Sequence, residues 1–342
     1  MTACSALAHG DAVKRALVTG GCGFLGSAIV RQLVEAGVEV RVLALPGEPT
    51  DNVAGLEVEI QRGNVLDLDA CREAVAGMDT LFHAAAMYKA YMPDPRPMYE
   101  VNGRGTFNML EAARRADVER TVYTASIVSL GRPPLGRRGD ENTPYEAWDV
   151  DMHYSRSKFH SREIAESFSN WGMDVRIVCP GAVLGPGDIA PTPSGSIIIN
   201  TLKMKGPAVY TDGGTSYVDV RDAARVHLLA AEKGKPGERY IATAHNLNNG
   251  ELVREILHAA GRGKKTTKLP TGLVKRLVRS MERSAIRRGK EPQITSAFFE
   301  FALTPGFYSN RKSELELGAT YRPFDETARD AIEYFRSRGL LD

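Results

Sequence analysis

The stretch from Arg15 to Ala36 constrains the fold more than any other part of this sequence, because it places a glycine-rich turn between an apolar run and a helical pattern. The run Ala-Leu-Val leads into TGGCGFLG, after which apolar residues recur at helical spacing. A strand, a glycine turn and a helix in this order are typical of the opening of a dinucleotide-binding α/β fold. We expect Gly20 to form the tight turn, Gly23 to let the backbone approach a pyrophosphate, and Gly26 to let the helix pack closely on the strand.

The helix that follows this turn would direct free backbone N–H groups and the positive end of its dipole at the phosphates of a dinucleotide. Glycine-rich turns are common by themselves, so the prediction rests on the flanking strand and helix. The residues that we assign to phosphate binding are Gly20, Gly23, Phe24, Leu25 and Gly26.

The composition is that of an ordinary globular protein, with 342 residues, of which 43% are hydrophobic, enough for one large domain or two. The net charge of +2 gives no overall attraction to nucleic acid. The four cysteines lie far apart without a CxxC pair, which favours a reducing, cytoplasmic setting.

Residues 1–12 lack the pattern of a signal peptide, and we expect them to form a flexible extension. No apolar run approaches the roughly 18 residues of a membrane span.

Strand and helix patterns alternate through the first half of the chain. Strands are predicted at 16–18, 38–45, 58–61, 80–83, 120–125 and 175–179, and further helices at 66–75, 97–115 and 153–170. Alternation of this kind indicates a doubly wound parallel sheet of the Rossmann type.

The stretch 180–196 is rich in proline and glycine and interrupts the alternation, so we interpret it as a crossover between domains. Short strands are predicted at 218–220 and 240–242, returning to the sheet on either side of a helix at 222–232. From about Leu247 the pattern is mostly helical, and this part should cover the carboxyl ends of the strands, where ligands bind. The fold class is therefore α/β, with a Rossmann domain of 14–180 and 217–243 and a smaller, mostly helical substrate-binding domain of 181–216 and 244–342.

Tyr154 and Lys158 lie four residues apart on a predicted helix, and Ser126 follows Thr124 at the end of the fifth predicted strand. Residues four apart share a helical face, so the Lys158 ammonium can sit beside the Tyr154 phenol and favour its ionised form. An unperturbed tyrosine titrates near ~10, too high for a base at neutral pH, and a lowered pKa would enable proton transfer. The Ser126 hydroxyl could hydrogen-bond the oxygen being transformed. The alternative is a chance pairing on an exposed helix, against which the upstream glycine turn argues.

Stretches along nearly the whole chain resemble the extended short-chain dehydrogenase/reductase family; in order they are TGGCGFLG, DTLFHAAA, VNGRGT, TASIVSLG, YSRSK, CPGAVLGPGD and YVDVRD. Within that family, MYKAYMPDPRPMYEVN, HYSRSKF and PTPSGSIII look most like the bacterial dihydroflavonol 4-reductase-like group, which includes proteins called hopanoid-associated sugar epimerases. The resemblance implies that Ser126, Tyr154 and Lys158 form a catalytic triad, with Tyr154 as acid and base and Lys158 also holding the nicotinamide ribose. It also implies a homodimer, since relatives commonly dimerise through a four-helix contact.

The resemblance further implies which residues surround an NAD or NADP cofactor. Ala84 and Ala85 would line the cofactor, Pro180 and Gly181 would lie at the nicotinamide, and Asn102 would help to order the site. Beyond the glycine turn, the expected cofactor-binding residues are therefore Asn64, Val65, Ala84, Ala85, Thr124, Tyr154, Lys158, Pro180 and Gly181.

Two positions depart from the family pattern. Relatives usually have Asp-Leu where this chain has Asn64 and Val65; because an amide can still accept from the adenine amino group, binding is expected to be retained. The second predicted strand ends in Ala44-Leu45-Pro46, without the carboxylate that an NAD enzyme places against the ribose 2′-OH or the arginine of an NADP enzyme. The choice between NAD and NADP stays open, with Arg41 and Arg62 as the nearest basic candidates for a 2′-phosphate.

The loop after the fourth predicted strand contains Met87, Tyr88, Tyr91 and Met92, at the sheet edge where substrates bind. These residues could be core, but we favour a pocket wall, and an apolar, aromatic wall suits a hydrophobic substrate better than a sugar nucleotide. His83 ends a buried strand and is interpreted as a core histidine. No metal site is expected. The residues assigned to the substrate are Met87, Tyr88, Tyr91, Asn102 and Ser126.

These observations favour an NAD(P)-dependent oxidoreductase that interconverts a secondary alcohol and a ketone on a bulky, apolar small molecule such as a terpenoid, sterol or flavonoid-like compound. One alternative is an NAD-dependent nucleotide-sugar 4-epimerase or dehydratase, which would use the same triad. Another is a dinucleotide-sensing protein without catalysis, although a sensor has no need of Tyr154 and Lys158 together.

Basic residues are concentrated between Arg262 and Lys290, where the single acid is Glu282. Apolar residues from Leu273 to Ile286 repeat at helical spacing opposite those bases. We favour a helix of the substrate-binding domain with its apolar side on the core and its basic side in water. The alternative is a helix at 271–290 that rests on an anionic membrane as a peripheral contact. Nucleic acid is not expected as a partner, because no aromatic residues interleave with the bases for stacking.

Overall fold

The computed structural model describes residues 13–89, 91–146, 152–292 and 294–341. The extension predicted for residues 1–12, which includes Cys4, lies outside the described residues. The other three cysteines, Cys22, Cys71 and Cys179, are buried free thiols.

The strands, in chain order, are β1 (Arg15–Thr19), β2 (Glu39–Ala44), β3 (Val58–Arg62), β4 (Thr80–His83), β5 (Arg120–Thr124), β6 (Val175–Pro180), β7 (Ala182–Leu184), β8 (Ala208–Tyr210), β9 (Gly214–Asp219), β10 (Arg239–Ala242), β11 (His245–Asn248) and β12 (Thr266–Lys268). The α-helices are α1 (Phe24–Glu35), α2 (Leu68–Val75), α3 (Arg96–Tyr99), α4 (Thr106–Arg115), α5 (His153–Asn170), α6 (Pro193–Lys203), α7 (Val220–Lys233), α8 (Asn249–Ala259), α9 (Thr271–Arg287), α10 (Ser296–Ala302) and α11 (Phe324–Ser337). A π-helical segment, Glu100–Gly105, joins α3 to α4. The single helix predicted at 97–115 is thus continuous, but its middle part has the i to i+5 hydrogen bonds of a π-helix.

The central sheet has seven strands in the order β10-β6-β5-β4-β1-β2-β3, with all neighbouring strands parallel. Its register places Val18 of β1 between Val42 and Phe82, and all three side chains are fully buried. β1 and β4 are buried along most of their length because helices cover both faces of the sheet. The predicted Rossmann fold is confirmed, and the strand order reverses at β1, where such sheets bind ligands.

Helices cover both faces of this sheet. On one face, α1 and α7 pack together through residues such as Ile29 and Leu229. On the other, α2, α4 and α5 pack around Met109 and Ala165. Both sides of the sheet are therefore closed, and the open edge is the row of strand carboxyl ends.

The second part of the chain is helical with two small sheets. β11, β9 and β7 form one of them, and β12 pairs with β8 in the other. Helices α6, α8 and α11 enclose a separate core that contains Ile198, Ile256 and Phe335. None of the described helices is both long and apolar enough to cross a membrane.

One predicted strand does not return to the central sheet. Residues predicted as a strand at 218–220 belong to β9, which pairs with β7 and β11 in the small sheet, whereas β10 does join the central sheet beside β6. Val220 is already helical, because the Asp219 side chain accepts from the Arg221 amide and caps α7.

Part of the C-terminal region packs on the central sheet. Residues around 308–321, which we assigned to the substrate-binding domain, pack on the Rossmann core: Leu317 and Ala319 are buried against its first face, and Tyr308 against the second. The Ser313 hydroxyl donates to the carbonyl oxygen of Ile241 in β10 at 2.9 Å. The chain therefore crosses back to the central sheet before it ends in α11.

The interpretation that the basic helix buries its apolar side on the core is wrong. In α9 the buried residue is Val278, whereas Leu273, Leu277, Met281 and Ile286 are all exposed. The helix packs mainly on α10 and not on a large core, so that little apolar surface is available to cover it.

Candidate active site

The turn between β1 and α1 leaves no room for a side chain at Gly20 or Gly26. Gly20 has φ +68°, which favours glycine, and a Cβ there would lie 2.8 Å from the backbone nitrogen of Ala85. A Cβ on Gly26 would lie 2.0 Å from the carbonyl oxygen of Gly20. The Gly23 amide donates to that same oxygen at 3.0 Å and closes the turn. The turn can therefore be built from these glycines and not from larger residues.

Helix α1 begins at Phe24 without a side-chain cap and without an acid in its first turn. The first N–H groups of a helix have no partner within it. Here Phe24, Leu25 and Gly26 border the large cavity described below. Uncapped donors and a positive dipole end, next to a turn that admits close backbone approach, fit a pyrophosphate.

Buried hydroxyls and a histidine connect the glycine turn to neighbouring elements. The Ala85 amide donates to the Thr19 hydroxyl at 3.2 Å, and that hydroxyl donates to Nδ1 of His83 at 2.7 Å. Because the Thr106 hydroxyl donates to the Asn102 carbonyl, it accepts from Nε2 of His83, 3.1 Å away. Burial lowers the pKa of His83 to about 3, so this histidine is neutral. The prediction that His83 is a satisfied core histidine is confirmed.

Asn102 lies in the π-helical segment and is almost fully buried. Its Oδ1 accepts from the Met87 amide at 2.7 Å, while its Nδ2 donates to the Met87 carbonyl and to Oγ of Ser157. The side chain thus fixes the loop after β4 to α5. These bonds use the amide within the protein, in keeping with the expectation that Asn102 helps to order the site.

Tyr154, near the start of α5, packs edge-on against Tyr88, with ring centroids 4.6 Å apart and planes at 81°. Burial raises the pKa of Tyr154, the nearby Tyr88 raises it further, and a hydrogen bond from Ser126 lowers it. The Ser126 hydroxyl also accepts from the Val128 amide at 3.4 Å. The phenol and the serine hydroxyl are therefore together at one point on the cavity wall, as predicted.

Lys158 lies one turn after Tyr154 and points toward β5. Its ammonium donates to the Thr124 carbonyl at 2.7 Å and to the Tyr123 hydroxyl at 3.3 Å, and it lies 5.0 Å from the centre of the Tyr123 ring. The Tyr123 hydroxyl donates onward to Ser161 at 2.6 Å. Burial lowers the pKa of Lys158 to about 8.

These contacts correct the expectation that Lys158 lowers the pKa of Tyr154. The ammonium is held by β5, and the pKa of the phenol is raised because burial outweighs the hydrogen bond from Ser126. Tyr123, which holds the ammonium from below, was not identified from the sequence. On a buried strand, this tyrosine has the sequence surroundings of an ordinary core tyrosine.

A cavity of about 1230 Å³ connects the glycine turn with α10. Pockets for single small ligands are typically about 300–1,000 Å³, so this volume fits a dinucleotide and a second molecule. Every residue assigned to the site from the sequence borders it except Tyr91 and Asn102. Tyr91 is not among the described lining residues, although Met87 and Tyr88 of the same loop are.

One end of the cavity is lined by residues that follow β2 and β3, including Leu45, Glu48, Asn64 and Val65. Oδ1 of Asn64 accepts from the Leu66 amide at 2.9 Å, which leaves its second lone pair for an amino group. The carboxylate of Glu48 accepts from the Leu45 amide at 2.9 Å and is fixed at this end. Sequence inspection missed Glu48 because it follows the strand end by four residues.

Neither basic candidate for a 2′-phosphate borders the cavity. Arg41 donates to Glu59 at 2.8 Å and to the carbonyls of Ala74 and Ala76, beside β3 and α2. Arg62 donates to two backbone carbonyls, those of Leu45 and Glu48. Both guanidinium groups therefore serve the fold.

The opposite end of the cavity is mostly apolar. Its described lining includes Ile197, Met204, Val209, Tyr210, Leu252, Val253, Phe298, Phe301 and Tyr308. Arg132 also borders it, with its guanidinium 4.8 Å from the ring centre of Phe301 and donating to the Phe301 carbonyl at 3.2 Å. These residues come from distant parts of the chain, so no local sequence signal could have collected them.

A family model described as the NAD dependent epimerase/dehydratase family matches residues 16–242. A "Putative dihydroflavonol 4-reductase" from Synechocystis is 32% identical over 328 residues, 95% of each chain. "Sterol demethylase protein B" from Methylococcus capsulatus is 29% identical over 95% of this chain and 99% of its own. A solved structure described as gox2253 is 35% identical, with a TM-score of 0.85 over 96% of this chain and all of the other.

Proposed function

The chain belongs to the NAD dependent epimerase/dehydratase family, and from this membership and the site we propose that it interconverts a secondary alcohol and a ketone on a bulky, apolar small molecule. The observation that carries the proposal is the position of Tyr154 and Ser126 on the wall of a cavity whose far end is apolar and aromatic. NAD(P) would supply or accept the hydride when bound, and the protein would handle the proton.

Each member of the triad has a distinct role in this proposal. Tyr154 donates its phenolic proton to the forming alkoxide in reduction and takes it back in oxidation. Ser126 donates to the phenol in this structure, and with substrate bound its hydroxyl would turn to the same substrate oxygen, so that both donors converge on one atom. A tyrosine whose pKa is raised by burial is protonated at neutral pH, which suits an acid in the direction of ketone reduction.

Lys158 would position the cofactor in this proposal. Its ammonium is anchored on the Thr124 carbonyl beside the nicotinamide position expected near Pro180 and Gly181. Held there, it would donate to the nicotinamide ribose of a bound cofactor and so place the nicotinamide beside Tyr154.

The lining favours an apolar substrate over a sugar nucleotide. The phosphates of a nucleoside diphosphate are best bound by several cationic groups, since an unpaired charge is costly to bury. Arg132 is the one arginine among the described lining residues, and it is engaged by Phe301. Sterols and flavonoids, which occur in the names of two relatives, are bulky and mostly apolar.

A nucleotide-sugar epimerase or dehydratase is the second candidate, because the family model is named for those activities. Such an enzyme oxidises and reduces the same substrate, so that cofactor is not consumed overall. A dinucleotide sensor is the third, and the retained triad argues against it.

The test is steady turnover of NADH or NADPH with a panel of cyclic, hydrophobic ketones, compared with UDP- and dTDP-sugars. We expect cofactor oxidation with ketones only. Tyr154→Phe should lose turnover while keeping cofactor affinity, Ser126→Ala should lose roughly 10² or more in kcat, and Lys158→Ala should lose both turnover and affinity. Turnover of sugar nucleotides without net change in cofactor would contradict the proposal, as would full activity in Tyr154→Phe.

Assembly and location are part of the same proposal. Phe107 on α4 and Trp171 after α5 are 43% and 66% exposed on neighbouring surfaces, and they fit a homodimer contact through these two helices. We place the enzyme in the cytoplasm. A peripheral contact with a membrane depends on the surface of α9.

A further inference from the structure

Helix α9 exposes apolar side chains that a soluble protein normally buries. Leu273, Leu277 and Met281 are 65%, 57% and 48% exposed. They are four residues apart and therefore form one stripe along the helix. Val278, on the adjoining side, is buried. The helix thus packs through one edge of its apolar face and leaves the rest in water.

Basic side chains flank this stripe. Arg276, Arg283 and Arg287 are exposed on the side next to Leu273, and no acidic residue in the described part of the chain pairs with them. Lys275 and Arg279 differ, because both pair with Glu300 on α10. The outward surface of α9 is therefore apolar along its centre and cationic along one border.

The position of α9 connects this surface with the substrate end of the cavity. α9 packs on α10, and the Arg279 guanidinium donates to Glu300 at 2.7 Å. Phe298 and Phe301 of α10 line the cavity on the other side. One helix therefore separates the exposed stripe from the apolar pocket.

We propose that α9 lies on the surface of a membrane that contains anionic lipid, with Leu273, Leu277 and Met281 inserted between the headgroups. An amphipathic helix with a cationic border is suited to this interface. Its occupant is a bilayer and not a second copy, because a symmetric dimer through this face would bring its own arginines together. The inference rests on the proposed function for its purpose, which is access of an apolar substrate to the cavity, but the binding itself needs no substrate.

The experiment is sedimentation of the full chain with phosphatidylcholine vesicles and with the same vesicles containing phosphatidylglycerol, at low and high salt and without substrate. The charge variant is Arg276→Gln with Arg283→Gln and Arg287→Gln. Since each basic residue near the surface contributes about 1 kcal/mol and 1.4 kcal/mol is tenfold, it should bind anionic vesicles roughly 10²-fold more weakly. The apolar variant, Leu273→Ser with Leu277→Ser and Met281→Ser, should also lose binding.

A matched control removes three exposed arginines elsewhere, by Arg137→Gln, Arg138→Gln and Arg336→Gln, and should bind like wild type. Binding by wild type that is equal on neutral and anionic vesicles, absent, or unchanged in both α9 variants would overturn the inference. So would a concentration-dependent dimer that the apolar variant abolishes. Turnover of a water-soluble ketone should be unchanged in both α9 variants, and this separates failure of docking from failure of the catalytic proposal.

Discussion

Glu48 places a carboxylate at the end of the cavity where we expect the adenosine ribose of a dinucleotide. Its side chain is fixed on the Leu45 amide and borders the cavity together with Asn64. A carboxylate at this end accepts from a ribose 2′-OH and repels a 2′-phosphate. The Arg62 guanidinium donates to the backbone carbonyls of Leu45 and Glu48.

We therefore expect NADH to be preferred over NADPH by at least about tenfold in kcat/KM, a difference of about 1.4 kcal/mol. Glu48→Gln should narrow the ratio by lowering repulsion of the phosphate. Glu57→Gln, which removes an exposed carboxylate from the same part of the chain, is the matched control and should leave the ratio unchanged. A wild-type enzyme that favours NADPH would show that Glu48 does not face the ribose.

At the scale of elements, the turn from β1 to α1 depends on Gly26, which has only a hydrogen where other residues have a Cβ. A Cβ on Gly26 would lie 2.0 Å from the Gly20 carbonyl oxygen, so Gly26→Ala has to push the turn apart. We expect cofactor affinity to fall at least about tenfold, the effect of roughly 1.4 kcal/mol, together with a lower Tm.

Binding titrations by nicotinamide fluorescence and thermal melts with and without cofactor would measure both effects. Gly263→Ala is the control, because a Cβ there meets nothing within 4 Å and its φ is not in the left-handed region. A Gly26→Ala protein with unchanged affinity would mean that the turn can shift without cost to the phosphate site.

Elements whose signals are local could be predicted from the sequence, whereas those that depend on distant partners could not. β4 (Thr80–His83) and α5 (His153–Asn170) have the predicted bounds, since a buried run and a helical repeat are enough to define them. The residues of β9 would be extended in the central sheet as well as in the small one. Tertiary packing alone decides that β9 pairs with β7 and β11. The exposed stripe of α9 has the same pattern as a buried one, so its surroundings alone distinguish the two.

The same limit applies within the site. The glycines, Tyr154, Lys158 and Ser126 could be identified because each belongs to a short motif. The direction of the Tyr154 pKa shift could not be predicted from the sequence, because it depends on burial and on Tyr88, and because Lys158 is held by β5.

At the scale of the whole molecule, two neutral histidines tie the sheet to its helices. Besides His83, His227 of α7 donates from Nδ1 to the Ala223 carbonyl at 2.7 Å and accepts from the Thr124 hydroxyl at 3.0 Å. Burial lowers the pKa of His227 to about 4. Between these lowered values and the ordinary 6.5, the unfolded chain binds more protons than the folded one, so the free energy of unfolding falls as pH falls.

We expect the Tm to decrease steadily from pH 6.5 toward pH 4, with the loss smaller in His227→Gln than in wild type. His258→Gln is the control, because that imidazole is mostly exposed. Melts followed by circular dichroism across this range would measure the slopes. Equal slopes in all three proteins would show that buried histidines do not govern the acid response.

The return of the chain to the central sheet at 308–321 affects the order in which the protein can be made. A ribosome releases β1 to β6 early, and N-terminal domains generally fold first during synthesis. Here Leu317 and Ser313 complete the surroundings of β10, and they emerge only after most of the substrate-binding region from 244 onward. The nascent nucleotide domain therefore waits, with an uncovered edge, for almost the last residues of the chain, and a gene fragment that stops at 243 would encode an unfinished core.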